Sequence, residues 1–265
     1  MEDLGERWNQ LKLTEDENAK IEIRVEQIER VLAEGDRCLE GKLISERRIN
    51  KEVIKMNFKK VWRLNGSFMV HEICLNLFVF VLEIQKDKEK VMSGKLWLFD
   101  NQLLVLNVFD GMTLQKMCFN YESFWVRLNN LPLDCMTREV GFQIGATIGI
   151  VHEVDINDEG IGWGSDLRVR IELDVRKIIA RGRTSNLASN RIWVPLTYEK
   201  LPKLCFKCRR IKHDGGGCDG NGDKNQYGSW LRARPSPRRG GVESKQNHGG
   251  AQREGSEGSQ GSVGI

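Results

Sequence analysis

Apolar positions recur along this chain with two periods, near two and near four residues, and they predict a mixed α and β fold. The first part indicates six elements in order: a strand at 39–44, a helix at 50–62, paired strands at 67–75 and 77–84, a charged helix at 86–93 and a strand at 103–108. Asn50 is a suitable N-cap for the first helix, and Gly94 ends the second. The succession β-α-β-β-α-β is the ferredoxin-like arrangement.

A second α+β region is predicted from residue 124 onward. Strands are expected at 124–128, 151–156, 167–175 and 190–197, with a helix from Thr137 to Ile148. Between Leu167 and Val175 every second residue is apolar and the residues between are charged, which is typical of a half-buried strand. The glycine-rich stretch at 160–164 lies between two strands, so we interpret it as a hairpin loop and not as a phosphate-binding loop.

The predicted organisation is α+β with five parts. These are an acidic N-terminal extension (1–38), a ferredoxin-like or RNA-recognition-motif-like domain (39–122), a second α+β region (123–200), a zinc knuckle (201–220) and a basic, Gly/Ser/Arg-rich disordered tail (221–265). Residues 1–40 hold twelve acidic and six basic residues, whereas residues 203–245 hold eleven basic and four acidic ones. A basic end of this kind indicates either a polyanion-binding segment or a solvated tail.

Apolar runs and cysteines bear on the cellular compartment. The longest apolar runs, such as 77–82, are too short to span a bilayer, and the first residues lack the apolar core of a signal peptide. Seven cysteines is an odd number, and four of them are widely scattered, so a disulfide framework is not expected. We therefore expect an intracellular protein, in the nucleus, the cytoplasm or both, with no membrane partner.

The strongest chemical signal is the set Cys205, Cys208, His213 and Cys218, which has the spacing C-x2-C-x4-H-x4-C. Three thiolates and one imidazole supply the four ligands that Zn²⁺ prefers in a tetrahedral site. So small a unit has no core of its own, and metal binding would supply its folding free energy, about 10–16 kcal/mol apparent. Four protein ligands leave no open position for water, which favours a structural site over a catalytic one.

Basic and aromatic residues surround these ligands. Aromatic rings stack on unpaired bases and cationic side chains neutralise phosphates. The candidate nucleic-acid-binding residues are Phe206, Lys207, Arg209, Arg210, Lys212, Trp230, Arg232 and Arg234. Packing against the folded domain is an open alternative for Trp230. Phe78 and Phe80 are spaced like the aromatic platform of an RNA-recognition motif, but the rest of that signature is absent and we favour a core role.

The chain resembles the plant retrotransposon-derived, gag-like proteins that carry domain of unknown function 4283 followed by a CX2CX4HX4C zinc knuckle. The segments that carry the resemblance are 11–17, 41–44, 49–53, 61–62, 96–100, 103–106, 125–127, 131–132, 148–149, 154–155, 167–170, 198–202, the knuckle and 227–233. The resemblance implies a zinc-binding, nucleic-acid-binding protein related to the first reading frame of LINE-type elements, with the element's RNA as partner.

Two departures from the family pattern affect the expectations. Arg209 and Lys212 stand where the family has glycines, and a bulky residue at a left-handed backbone position costs about 1–2 kcal/mol. The Gly-Pro pair that precedes the Trp-Leu-Phe-Asp segment is Lys95-Leu96 here. Both changes fit a degenerate genomic copy.

Three functional hypotheses remain after these observations. The first is a non-enzymatic, zinc-dependent binder of single-stranded RNA or DNA that also self-associates and takes no small-molecule substrate. The second is a protein-interaction module in which zinc only folds a docking surface. The third is an enzyme, which lacks support because the sequence shows no carboxylate cluster or open metal site.

Overall fold

A computed structural model describes residues 11–187, 190–213, 218, 220 and 226–234 of the chain. Its helices and strands are α1 (Val25–Gly35), β1 (Cys38–Leu43), α2 (Lys51–Trp62), β2 (Phe68–Cys74), β3 (Leu77–Leu82), α3 (Gln85–Ser93), β4 (Trp97–Phe99), β5 (Gln102–Val108), β6 (Tyr121–Asn129), α4 (Arg138–Ala146), β7 (Ile150–Asp155), β8 (Asp166–Asp174), β9 (Gly182–Leu187) and β10 (Asn190–Tyr198). Two short 3₁₀ turns, Leu133–Cys135 and Ser229–Leu231, complete the secondary structure of these residues.

The first sheet has the strand order β2-β3-β1-β5-β4, and all its pairs are antiparallel. If the short edge strand β4 is set aside, β5 is the fourth strand and the sheet has the ferredoxin-like topology. The α+β fold class and the βαββαβ order are therefore confirmed. The Asn50 side chain accepts a hydrogen bond from the Glu52 amide at 2.8 Å, which satisfies one free donor at the start of α2. The short strand β4 was not predicted, and the Lys95–Leu96 peptide bond before it is cis.

One face of the first sheet packs against the helices. Phe58 and Trp62 of α2 stack with ring centroids 4.7 Å apart, and both meet Phe80 edge-on. Phe78 and Phe80 are fully buried on this face, which confirms the core role over the aromatic platform. Gly41 is required in β1 because a Cβ there would lie 2.5 Å from the Phe80 ring.

The helix-free face of the first sheet, which RNA-recognition motifs use for RNA, is largely covered. Leu77, Leu103 and Val105 on this face belong to the same continuous core as the second sheet. Glu40 is also buried there, and burial is the main cause that raises the pKa of its carboxyl group. The described residues up to Ala233 form one compact unit, so the predicted boundary between residues 122 and 123 stays a prediction.

The second sheet repeats the topology of the first. Its strand order is β7-β8-β6-β10-β9, and that of the first sheet is β2-β3-β1-β5-β4. The first strand of each set along the chain, β1 or β6, is therefore central, and the others follow it in the same arrangement. Thr137 caps α4 by accepting from the Val140 amide at 3.3 Å, as predicted, and α4 packs on the buried face of β8. Leu167, Val169, Ile171 and Leu173 are buried on that strand, as the alternating pattern predicts.

One element of the ferredoxin-like order is missing from this repeat. The described residues contain no helix between β8 and β9, and the connection at 175–181 runs across the core instead. Segments from beyond β10 cover this part of the core, through the side chains of Leu201, Leu204, Ile211, Tyr227 and Leu231. The hydrophobic core on the helix-bearing face of the second sheet, the second core, is therefore covered by residues of the knuckle and of the segment that follows it.

Residues 226–234 differ from the prediction of a disordered tail beginning at residue 221. Tyr227 and Leu231 are buried, and the Ala233 amide donates to the Tyr198 carbonyl of β10 at 2.9 Å. These two apolar side chains gain enough burial to order a segment that is otherwise rich in small and basic residues. The predictions for residues 1–10 and 235–265 fall outside the described residues. None of the described helices has the length and apolar character needed to cross a membrane.

Candidate metal centre and its surroundings

The structure brings all four predicted metal ligands together. The ligand atoms of Cys205, Cys208, His213 and Cys218 all lie within 4.8 Å of one another. The Cys205 and Cys218 sulfurs are 3.5 Å apart, and the Cys208 sulfur is 3.4 Å from Nε2 of His213. Tetrahedral zinc with Zn–S bonds of about 2.3 Å separates its ligands by roughly 3.5–3.8 Å. The donor set and its spacing therefore fit a closed zinc site.

The turn between the first two cysteines is held by backbone hydrogen bonds. The Cys205 amide donates to the Arg210 carbonyl at 3.0 Å, and the Cys205 carbonyl accepts from the Arg209 amide at 2.6 Å. Arg209 adopts a left-handed conformation with φ of 66°, as expected for a position where the family has glycine. Lys212 was expected to adopt a left-handed conformation too, but it is not among the described residues with positive φ, so that expectation is wrong.

The thiols at this turn differ in acidity. Burial would raise the pKa of Cys205, but hydrogen bonds from the amides of Cys208 and Lys207 outweigh it and lower the pKa to about 7. Burial raises the pKa of Cys208 to about 11, and its neighbours Cys205 and Cys218 add to the rise. The amides near Cys205 thus favour the thiolate that a metal requires.

The knuckle is fastened to the second sheet and does not stand apart from it. The Arg209 carbonyl accepts from the Ile179 amide at 2.9 Å, and the Lys212 amide donates to the Val175 carbonyl at 3.0 Å. The Tyr227 hydroxyl donates to the Ile179 carbonyl at 2.9 Å. All these bonds meet the 175–181 connection, where the sheet lacks its second helix.

The predicted nucleic-acid-binding residues fall into two groups. Five are exposed: Phe206, Lys207, Trp230, Arg232 and Arg234. Phe206 is 46% exposed and Trp230 is 56% exposed, so Trp230 is not one of the buried core residues.

The other three predicted residues are half-buried: Arg209, Arg210 and Lys212. The Arg209 guanidinium lies 5.3 Å from the centre of the Tyr227 ring, and Lys212 donates to the Asn120 side chain at 2.8 Å. The Nε atoms of Arg209 and Arg210 are buried. Arg209 and Lys212 therefore contact residues next to the knuckle, while the five exposed side chains face solvent.

Sequence reasoning missed an ion-pair network on the helix-free face of the second sheet. Arg168 of β8 lies 3.7 Å above the Trp125 ring of β6 and makes a bidentate pair with Glu199 at 2.9 and 3.0 Å. Burial would raise the pKa of Glu199, but hydrogen bonds from Arg168 and Arg127 hold it below its usual range. The alternating pattern indicated the charged face of β8, but the residues that pair with these charges lie far from β8 in sequence.

Comparison with known proteins gives a family match for the part of the chain that forms the first sheet. Residues 32–112 match the family described as a domain of unknown function, DUF4283, which is found in plant retrotransposon-like proteins. The match includes the whole first sheet. Among solved structures, the chain is similar to the C. elegans NONO-1 homodimer at 12% identity, with a TM-score of 0.22 over 61% of this chain and 60% of that one. No curated protein matches.

Proposed function

We propose that the protein is a zinc-dependent, non-catalytic binder of single-stranded nucleic acid, with RNA as the favoured partner, of the retrotransposon gag-like kind. The observation that carries the proposal is the convergence of three sulfurs and one imidazole nitrogen within 4.8 Å, with the exposed Phe206 and Lys207 between the first two ligands. Self-association and a nuclear or cytoplasmic location belong to the same proposal.

The exposed group supplies both interactions that an unpaired strand needs. Phe206 and Trp230 are exposed aromatic residues, and stacking of such a ring on a base contributes about 1–3 kcal/mol. Lys207, Arg232 and Arg234 are exposed cations that can neutralise phosphates. Binding should therefore weaken with salt, with a log–log slope of roughly −0.7 per phosphate neutralised on a single strand.

The two sheet faces are poorer candidates for this contact. Leu77, Leu103 and Val105 are buried on the helix-free face of the first sheet, so no strand can lie on them. On the second sheet Arg168 already covers the Trp125 ring, and its charge is neutralised by Glu199. A base would have to displace a bidentate ion pair to stack there.

The metal would act by holding structure. With four protein ligands the coordination sphere of Zn²⁺ is complete, so no water or substrate oxygen would be activated. Cys205 and Cys208 would hold the metal from the turn, and His213 and Cys218 from the following segment. The bound metal would fix the direction in which Phe206 and Lys207, which lie inside the first chelate turn, face solvent.

A titration by fluorescence anisotropy tests the proposal. Labelled single-stranded RNA, single-stranded DNA and duplex DNA are each titrated with the zinc-loaded protein, with and without chelator. We expect binding of the single strands that chelator or Cys208→Ser abolishes. The exposed Cys74 lies outside the knuckle, so Cys74→Ser is the matched control and should bind as wild type does.

A second pair of variants tests the contact surface. Trp230→Ala should weaken single-strand binding by about 1–3 kcal/mol if its ring stacks on a base. Trp193 is also exposed but lies on β10, so Trp193→Ala is the control and should leave affinity unchanged. Equal binding by Cys208→Ser and wild type, or a flat salt profile, would refute nucleic-acid binding at the knuckle.

The alternative is a protein-interaction module that zinc merely folds. It is favoured by the burial of Leu204 and Ile211 in the second core, since zinc would then stabilise tertiary structure. Under this alternative, zinc-loaded protein binds none of the three nucleic acids, and a protein partner stays bound after nuclease treatment.

A further inference from the structure

We propose that Glu46, from the loop after β1, positions the imidazole of His213 for the metal by accepting a hydrogen bond from its Nδ1. The inference rests on the zinc-binding half of the proposed function and not on nucleic-acid binding. Glu46 follows the first strand of the first sheet and is far from the knuckle in sequence.

The two ring nitrogens of His213 have different surroundings. Nε2 lies 3.4 Å from the Cys208 sulfur and therefore belongs to the group of ligand atoms. Nδ1 is buried, with no hydrogen-bond partner within the described part of the chain. Among the described residues, Oε1 of Glu46 lies 3.7 Å from this nitrogen.

Metal coordination makes this nitrogen a donor that needs an acceptor. A neutral imidazole that binds metal through Nε2 carries its proton on Nδ1, and such a proton is generally given to a carboxylate or carbonyl oxygen. A buried N–H without an acceptor costs about 1–3 kcal/mol. The distance of 3.7 Å exceeds a hydrogen bond by less than 1 Å, and the Glu46 side chain, 83% exposed, has room to turn toward the ring.

The loop that carries Glu46 is held on both sides by one buried side chain. Asn76, in the turn between β2 and β3, donates to the carbonyls of Ser45 at 3.1 Å and Arg47 at 2.8 Å. Its oxygen accepts from the Ile49 amide at 2.9 Å. Asn76 itself is buried, so the backbone on either side of Glu46 is fixed and only the carboxylate must move.

The knuckle is also tied to the same side of the first sheet by its backbone. The Lys203 amide, two residues before Cys205, donates to the Asn101 carbonyl in the β4–β5 turn at 2.6 Å. Ile44, which precedes Glu46 by two residues, is packed against the core that includes Leu204. Metal binding at His213 would then strengthen the packing of the knuckle against both sheets.

A zinc competition titration of the full chain tests this role. Wild type, Glu46→Ala and Glu46→Gln are titrated against a chromogenic chelator of known zinc affinity. We expect Glu46→Ala to bind zinc about 10–100-fold more weakly, the usual effect of removing such a partner. Glu46→Gln keeps an acceptor oxygen but loses the charge, so it should recover part of the loss.

Two measurements separate positioning from general damage. Glu89 is an exposed carboxylate on α3, and Glu89→Ala should bind zinc as wild type does. Thermal unfolding of the metal-free proteins should be unchanged by Glu46→Ala, because the side chain is largely exposed. In the Co²⁺-loaded proteins, Glu46→Ala should shift the visible d–d bands, which report the geometry around the metal.

The outcomes distinguish this inference from the proposed function. Equal zinc affinity and equal Co²⁺ spectra for wild type and Glu46→Ala would overturn the role of Glu46 alone. Equal losses in Glu46→Ala and Glu46→Gln would show that only the negative charge matters, and would also overturn it. A wild-type protein that binds no zinc would overturn both proposals.

Discussion

Removal of zinc should unfold the second core and not the knuckle alone. The knuckle supplies Leu204 and Ile211 to that core, and two backbone hydrogen bonds join it to the 175–181 connection. Burial of a Leu or Ile side chain contributes about 1.5–3 kcal/mol and a hydrogen bond about 0.5–1.5 kcal/mol, which gives about 4–9 kcal/mol in all. The unfolded chain already buries part of this area, so the lower half of that range is the better expectation.

A loss of this size is comparable to the whole stability of an ordinary domain, about 5–15 kcal/mol. Urea denaturation with and without chelator should therefore show a large fall in midpoint. Hydrogen exchange locates the effect, because the Ile179 amide donates to the Arg209 carbonyl and should lose protection when zinc is removed. Amides of β2, whose buried side chains Phe68 and Val70 belong to the separate core between the first sheet and its helices, provide the internal control.

The result that would refute this reasoning is specific. If chelator releases the metal while the urea midpoint and the protection of the Ile179 amide stay unchanged, the knuckle folds and unfolds independently of the second sheet. The burial of Leu204 and Ile211 would then contribute nothing to the cohesion of the domain.

Three further changes test other features. Arg209→Gly relieves a left-handed backbone cost of about 1–2 kcal/mol and gives up a cation–π contact with Tyr227 worth about 0.5–1 kcal/mol. Urea denaturation should find it up to about 1.5 kcal/mol more stable than wild type, and Arg209→Ala less stable; the reverse order would contradict the assignment. Phe78→Ala should cost about 3–5 kcal/mol of unfolding free energy, and a cost below about 1 kcal/mol would contradict its burial. The pKa of Glu199 is lowered from 4.5 on folding, so its stabilisation is present above that pH and lost as the pH falls below it. Glu199→Gln, which weakens the pairing with Arg168, should flatten the acid limb of a stability–pH curve, and an unchanged limb would argue against that pairing.

Features that depend on residues close together in sequence could be predicted. Asn50 and Thr137 identified the starts of α2 and α4 because a side-chain oxygen at that position satisfies a free amide. The knuckle ligands were equally predictable, since their spacing alone lets one chain segment wrap a metal. The alternation from Leu167 to Val175 gave the buried face of β8 for the same local reason.

The features that were missed depend on partners distant in sequence. Strand β9 reads Gly-Arg-Thr-Ser-Asn-Leu and has almost no apolar pattern, so only its pairing with β10 makes it a strand. Tyr227 and Leu231 are isolated apolar residues in a polar segment, and their burial follows from a gap left by the missing helix. Glu46 lies in a polar loop that carries no signal of its proximity to His213.

In the second sheet the place of a helix is taken by the segment that carries the four clustered ligand residues, so under the proposed function the shape of that segment would depend on an ion. The described residues 201–213 would therefore not form a module that could be cut out and transplanted, because their backbone hydrogen bonds to Val175 and Ile179 would be left behind. A cell short of zinc would hold an incompletely folded chain, which quality-control proteases remove. The amount of this protein, and not only its activity, should then follow the zinc supply.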